Sequence, residues 1–383
     1  KKFTAVVSPT VVSQTIPAGL VDGINYNPND ATKATLVLDA PLKDFVYVAG
    51  SFNNWQPTAA YAMKKDATAG STKFWLELTG LTAGTNYTYQ YWVVDQTPLA
   101  GSPSLVKAAD PYSTLVLSPY DDGGIPATSF PNLPAYPSGQ EREVTWFKTG
   151  QTPYAWSQAT LNFEKPAKEK LVVYEVLVRD FDAKRNYQDL IDKIDYFKNL
   201  KVNAIQLMPV MEFEGNESWG YNTSFHMALD KFYGTPEKLK ELIDLYHQNG
   251  IAVILDVALN HAFGRNSMVR MWMNDPDGDG FGSPTTENPY FNTVAKHSYS
   301  VGEDFNHQQA RTKNYVKRVI KQWVEEFKID GFRWDLTKGF TQNAQGSDAQ
   351  TNAYQQDRVD VLKEYADYSW SLDPTHYVIF EHL

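Results

Sequence analysis

The spacing of apolar residues changes near Lys170, and the change divides the chain. Before it, short alternating runs dominate: Lys33-Ala-Thr-Leu-Val-Leu-Asp39, Asp44-Phe-Val-Tyr-Val48, Lys73-Phe-Trp-Leu-Glu-Leu78 and Asn86-Tyr-Thr-Tyr-Gln-Tyr-Trp-Val-Val94. Successive strand residues face opposite sides, so each run predicts a strand with one face on a core. Gly50, Asn53, Asn54, Gly70, Gly80 and Gly84 provide turns between them. Strands at this interval predict a β-sandwich over residues 1–120, with the first 25 or so residues as an edge strand or a tail. Residues 121–170 hold Gly123-Gly124 and six prolines between Pro126 and Pro166, and they predict a linker; within it, Glu143-Val-Thr-Trp-Phe147 has the pattern of a strand.

After Lys170 the pattern becomes apolar strands separated by helical spacing. Leu171 to Val178, Asn203 to Pro209, Ile251 to Asp256, Asp330 to Asp335 and Tyr377 to Leu383 predict strands. Helices are predicted over 187–200, 236–249, 310–328 and 351–371, and residues 262–309 predict an irregular insertion. Pro236 near its start and Gly250 just past its end punctuate the second helix. Such alternation predicts a parallel sheet covered on both faces. No glycine-rich phosphate loop follows the first strand, which disfavours a nucleotide-binding doubly wound fold. The expected architecture is therefore a multidomain chain: a β-sandwich, then a (β/α)8 TIM barrel over 171–383. Eight strands close such a barrel and five are predicted, so the expectation is an incomplete barrel whose remaining C-terminal part lies elsewhere.

Composition narrows the partners. The formal net charge is −10 and no basic block occurs, which disfavours nucleic acid. No apolar run is long enough to span a bilayer. The absence of cysteine excludes thiol catalysis, thiolate-held metals and disulfides. Aromatic residues make up 14%, including ten Trp and 23 Tyr, which suits both large cores and the stacking of neutral sugars. Lys1-Lys2-Phe3 is not followed by a signal-peptide core, so any export signal is expected to be removed or left out.

Polar residues gather at the ends of three predicted strands: Asp256 with Asn260 and His261, Arg333 with Asp335, and Glu381. Barrel chemistry sits at C-terminal strand ends. Arg333 and Asp335, two apart on a strand, share a side, and the guanidinium favours an ionised carboxylate, as a nucleophile requires. Glu381 follows Val378-Ile379-Phe380, an apolar setting that raises a carboxyl pKa and suits a proton donor. One ionised and one protonated carboxyl, roughly 5–5.5 Å apart, is the requirement for retaining glycoside hydrolysis. The same residues read equally well as a stabilising ion pair inside a barrel.

These segments resemble the α-amylase family, glycoside hydrolase family 13. Asp256-Val-Ala-Leu-Asn-His261 is similar to its first conserved segment, Gly331-Phe-Arg-Trp-Asp335 to its second, and Glu381 to the acid/base of its third. Glu303-Asp-Phe-Asn306 resembles an additional segment, and Trp219-Gly220-Tyr221 a tryptophan-glycine-tyrosine variant. The resemblance implies Asp335 as nucleophile, Glu381 as acid/base, and Arg333, His261, Tyr221 and Trp219 at the bound sugar. It implies Asp256 as a structural support of Arg333. Lys338 matches a lysine contacting sugar beyond the cut, while Gly339 replaces the usual histidine there. The implied substrate is an α-glucan polysaccharide or oligosaccharide (starch, glycogen or maltodextrin), cut in the manner of an α-amylase or neopullulanase. Branching and debranching enzymes are the enzymatic alternatives, and a non-catalytic glucan-binding protein the alternative of another class. The incomplete barrel is expected to be inactive by itself. The substrate class suggests secretion, to the periplasm, cell surface or medium, with a cytoplasmic glycogen-acting relative as the alternative.

Val46-Tyr-Val-Ala-Gly-Ser-Phe-Asn-Asn-Trp55 and Asp110-Pro-Tyr112 resemble immunoglobulin-like early-set and family 48 glycogen-binding modules. Trp75 and Trp92 are each a candidate sugar platform or a core ring, and Trp55 a fold landmark. Asp275, Asp277 and Asp279 in Asp275-Pro-Asp-Gly-Asp-Gly280 have the start of a calcium loop, without the glutamate that would complete an EF-hand. The family resemblance implies Asn260 as a further calcium ligand. Calcium is thus the one cofactor expected, and no organic cofactor is.

Overall fold

The computed structural model describes residues 7–382 and resolves into two compact units. The first unit is drawn from the chain up to Pro119, from Pro134–Thr152 and from Arg265–Asn288. It holds two antiparallel sheets. One has the order Gly23–Tyr26, Ala34–Asp39, Lys73–Leu78, Lys64–Lys65. The other runs Phe45–Gly50, Tyr87–Val94, Val144–Phe147, Val116–Leu117, and Leu105–Ala108 also pairs with Tyr87–Val94. All four alternating runs form strands.

The bounds of this unit differ from those expected. Val144–Phe147 lies inside a sheet, so part of the expected linker belongs to the first unit. Arg265–Asn288, expected as a barrel insertion, belongs there too: Arg270 Nη1 donates to Lys107 O at 2.7 Å and Trp272 Nε1 to Pro41 O at 2.9 Å. These bonds satisfy buried polar groups across more than 150 residues of sequence, and no local periodicity encodes them. Trp75 and Trp92 are core rings and not sugar platforms, each buried with a lysine ammonium over its face. The carboxylate of Asp110 is buried but satisfied, accepting from Tyr89 OH, Tyr91 OH and the Tyr112 N–H at 2.7–2.8 Å.

The second unit comprises Tyr120–Leu133, Pro153–Gly264 and Pro289–Leu383. Its sheet has five parallel strands: Val173–Val176, Ala204–Leu207, Ala252–Val257, Gly331–Trp334 and Tyr377–Phe380. They add in chain order, the winding of a (β/α) barrel; a doubly wound nucleotide fold would reverse direction. The second and third strands are buried along their whole length, which explains their unbroken apolar runs.

The helices fit the expected positions with breaks. Pro236–Gln248 starts on Thr235, whose hydroxyl accepts the Lys238 N–H at 3.1 Å. The helix expected over 187–200 is two, Tyr187–Asp192 and Ile194–Leu200, because Lys193 leaves the helical region at φ −101°, ψ 18°. The one expected over 310–328 is α-helical for Ala310–Lys321 and then a π-turn over Gln322–Glu326. The last is split into Asp348–Asn352 and Gln356–Leu372. At the N-terminal ends of the strands, Asp330 accepts the Val253 N–H at 2.7 Å and pairs with His247 Nε2 at 2.8 Å, tying the third and fourth strands to the Pro236–Gln248 helix.

Candidate active site

The site is built where the third, fourth and fifth strands end. The register sets Asp256 beside Arg333 and Trp334 beside Phe380, so Asp335 and Glu381 follow on adjacent strands. Backbone bonds fix them: Asp335 N donates to Val257 O, and Glu381 N to Trp334 O, each at 3.0 Å. Arg333 holds three carboxylates at once. Its Nη1 donates to both Asp256 oxygens at 3.0 Å and to Asp335 Oδ1 at 2.9 Å, and its Nη2 meets Glu381 Oε1 at 2.6 Å. Only a planar, multi-donor cation can do this, so lysine would not substitute.

Each carboxylate has its own further support. Asp256 is fully buried and accepts from Tyr221 OH at 2.8 Å. Burial pushes its carboxyl up to about 7, against the opposing pull of Arg333 and Tyr221. Asp335 accepts from Asn260 Nδ2 at 3.2 Å. Burial, first, also lifts Asp335 above its ordinary value; Arg333 pulls down and Glu381 pushes up. Arg333 therefore does not hold Asp335 low, as the sequence suggests, because desolvation outweighs it. Glu381 does not sit in an apolar setting either. Its Oε2 accepts the Leu336 N–H at 2.8 Å while Oε1 faces the guanidinium, because the strand ends at Phe380 and turns the carboxylate toward its neighbours.

The other expected residues divide. Tyr221 is half-buried, with the Arg333 guanidinium 6.0 Å from its ring centre. Trp219 is 63% exposed on the same turn. Gly220 between them has φ +94°, and a Cβ there would lie 2.5 Å from Pro209 O, so only glycine fits. His261 is buried against the site with both nitrogens committed, Nδ1 to Asn260 Oδ1 at 2.5 Å and Nε2 to Tyr221 O at 2.6 Å. Burial pulls it down to about 4. Lys338 is in the turn after the fourth strand, its ammonium on Asn352 Oδ1 at 2.7 Å. Two participants have no sequence signature: Leu336, held at φ 42°, ψ 58° so that its N–H meets Glu381, and Asn260 as a donor to Asp335. Such a conformation is costly for leucine and occurs where surrounding structure imposes it.

Comparison with known proteins identifies the family. The "Alpha amylase, catalytic domain" family model matches residues 179–370, half of the chain. The chain belongs to the α-amylase family. A malto-oligosyltrehalose trehalohydrolase of Saccharolobus solfataricus is 31% identical over 48% of this chain and 30% of its own length. Alpha-amylase 3 of Dictyoglomus thermophilum is 28% identical over 57% of this chain and 44% of its own. The chain thus spans less than half the length of these curated relatives. Among solved structures, a pullulanase of Paenibacillus barengoltzii superposes with a TM-score of 0.66 at 19% identity, covering 95% of this chain and 53% of that one. As an α-amylase-family chain it combines part or all of a TIM-barrel catalytic domain with an additional domain.

The expected calcium has a candidate place in the acidic turn. Asp275, Asp277 and Asp279 each bring one carboxylate oxygen within 4.8 Å of the others. Those oxygens accept backbone N–H groups that close the turn, including Gly280 N to Asp275 Oδ2 at 2.9 Å, yet carboxylate oxygens have further lone pairs for a hard cation. Asn260, the further ligand the resemblance implies, lies in the second unit, fully buried, with its oxygen on His261 and its amide on Asp335.

Proposed function

We propose that this chain carries the reacting carboxylates of a retaining glycoside hydrolase acting on α-1,4-glucans, of α-amylase or neopullulanase-like activity. The observation that carries the reading is the single guanidinium of Arg333 joining Asp256, Asp335 and Glu381 at adjacent strand ends. In this reading Asp335 attacks the anomeric carbon while Glu381 gives its proton to the leaving glycosidic oxygen. A covalent glycosyl–Asp335 ester forms, and Glu381, now ionised, takes a proton from the water that cleaves it. Tyr221, Trp219 and Lys338 supply sugar contacts around this centre.

The deciding experiment uses Glu381→Gln full-length protein with an α-glucosyl fluoride, whose leaving group needs no acid. A glycosyl adduct on Asp335 should accumulate and be seen by mass spectrometry, with starch turnover down by ~10²–10⁴-fold. Unchanged turnover with no adduct would sink the assignment.

Transfer to a glucan hydroxyl, as in branching, is the second reading. A 1,4-alpha-glucan branching enzyme of Corynebacterium diphtheriae aligns over 77% of this chain at 26% identity, a wider span than the trehalohydrolase. Reducing ends accumulate in hydrolysis and barely in transfer. A polymeric substrate favours export, and among the described residues no helix is long and apolar enough to cross a membrane. The three aspartates of the acidic turn are proposed to take calcium, which calorimetry with added calcium would show as a rise in unfolding temperature.

A further inference from the structure

Two exposed tyrosines are tethered to the turn that follows Asp335. Tyr299 is 54% exposed and Tyr354 is 71% exposed. Exposure alone assigns nothing, since single large side chains on a surface are ordinary. The backbone of Tyr299 is not ordinary. Its φ is 66°, a left-handed conformation that is rare for a bulky residue and persists where neighbours impose it. The residue before it is pinned twice: Ser298 N donates to Thr351 Oγ1 at 3.0 Å, and Ser298 Oγ to Gly346 O at 3.1 Å. The loop then leaves through Glu303–Asp304, which pairs with His261–Ala262.

The second tyrosine is tied to the same turn from the other side. Arg358 is buried and gathers three backbone carbonyls. Its Nη1 donates to Lys338 O at 3.2 Å and Thr351 O at 2.8 Å, and its Nη2 to Ala353 O at 2.7 Å. The segment carrying Tyr354 is thereby fixed to the turn just past Asp335. Asn352 links the two sides. Its Oδ1 accepts from Lys338 Nζ at 2.7 Å, and its Nδ2 donates to Tyr299 OH at 3.3 Å. Among the described residues this leaves the Tyr299 O–H and the second Asn352 amide N–H free to donate. Phenol rings set around an amide and an ammonium suit a neutral, polyhydroxylated ligand, whose C–H faces cover the rings while its hydroxyls meet the donors. An apolar protein face would leave those donors unpaired.

We propose that Tyr299 and Tyr354, with Asn352 between them, form a platform that selects long α-glucan chains by holding sugar units remote from the bond cleaved at Asp335 and Glu381. The platform joins the reacting centre through the turn that carries Lys338. The left-handed backbone of Tyr299 keeps its ring exposed there. That the ligand is a glucan rests on the function proposed above; the tethering of the two rings to the turn does not.

The test uses full-length protein and two linear probes, maltotriose and maltoheptaose. In Tyr299→Ala, kcat/KM for maltoheptaose should fall ~3–10-fold further than that for maltotriose, chiefly through KM, because the shorter chain fills the reacting centre without reaching the platform. Tyr354→Ala should move the ratio in the same direction. Tyr299→Phe, which keeps the ring and loses the bond to Asn352, should restore most of it. A tyrosine that only braces the loop would lower both substrates alike, so an unchanged ratio in Tyr299→Ala overturns the proposal. Binding is read separately, by calorimetric titration of maltoheptaose into Glu381→Gln protein, where adding Tyr299→Ala should weaken affinity ~3–10-fold. Absent turnover in the wild type together with this weakened binding would sink the hydrolase reading and leave the platform standing.

Discussion

At the scale of single residues the site is one cation against three carboxylates. Arg333 cannot neutralise all of them, and Asp335 is lifted above its ordinary value by burial and by Glu381. A nucleophile must be ionised, so the acid limb of the kcat/KM profile should fall above the usual aspartate range. Asn260→Ala removes a donor that favours the charged form. The limb should then move further up in pH, with activity on the alkaline side falling less than at acid pH. A limb that stays in place under this substitution would mean Asn260 does not stabilise the ionised Asp335.

Arg333, Asp335 and Glu381 were legible as a set because their spacing on strands dictates a shared side and end. The environment of each was not. An apolar tripeptide ahead of Glu381 says nothing of a guanidinium arriving from the neighbouring strand, and electrostatics depend on what arrives.

At the scale of elements, the fourth strand leaves no room for a side chain against the fifth at Gly331. A Cβ there would lie 2.5 Å from Tyr377 Cβ and 2.8 Å from Tyr377 O. Gly331→Ala must push the fifth strand away, and with it the backbone that places Glu381. The expected cost is about 1–3 kcal/mol of stability, read from urea unfolding. The loss of activity should exceed what the unfolded fraction explains, because the register of Trp334 with Phe380 is what aligns the two carboxylates. The helices show the limits of periodicity at this scale. Spacing located all four correctly, but the breaks at Lys193 and after Asn352 and the π-turn at Gln322–Glu326 follow from packing that apolar spacing does not express.

For the molecule as a whole, buried histidines contribute to the response to acid. His307 is fully buried, stacked on Phe340 and bonded to Leu259 O and Tyr365 OH at 2.9 Å. Burial pulls it down to about 3, against about 6.5 in the unfolded chain. Below that unfolded value the unfolded chain takes up the proton and the folded one does not. The stabilising contribution is therefore complete above pH ~6.5 and is lost as pH falls toward ~3. The stability advantage of wild type over His307→Asn should narrow by up to ~1.4 kcal/mol per pH unit across that interval. Asp256 and Asp230, both lifted to about 7 by burial, act with the opposite sign, so the comparison must be made against the variant. A constant difference between the two proteins from pH 7 to 4 would show that His307 is protonated in the fold.

The sequence by itself determined the alternation of strands and helices, the two kinds of sheet and the strand ends on which Asp256, Arg333, Asp335 and Glu381 stand. These follow from local periodicity, which a side chain obeys wherever the chain goes. Only the tertiary structure decided that Arg265–Asn288 belongs to the first unit, that Trp75 and Trp92 are core, and that Glu381 faces a cation. Each of these is a contact between residues far apart in the chain, set by which surfaces meet when polar groups must be satisfied and apolar ones buried.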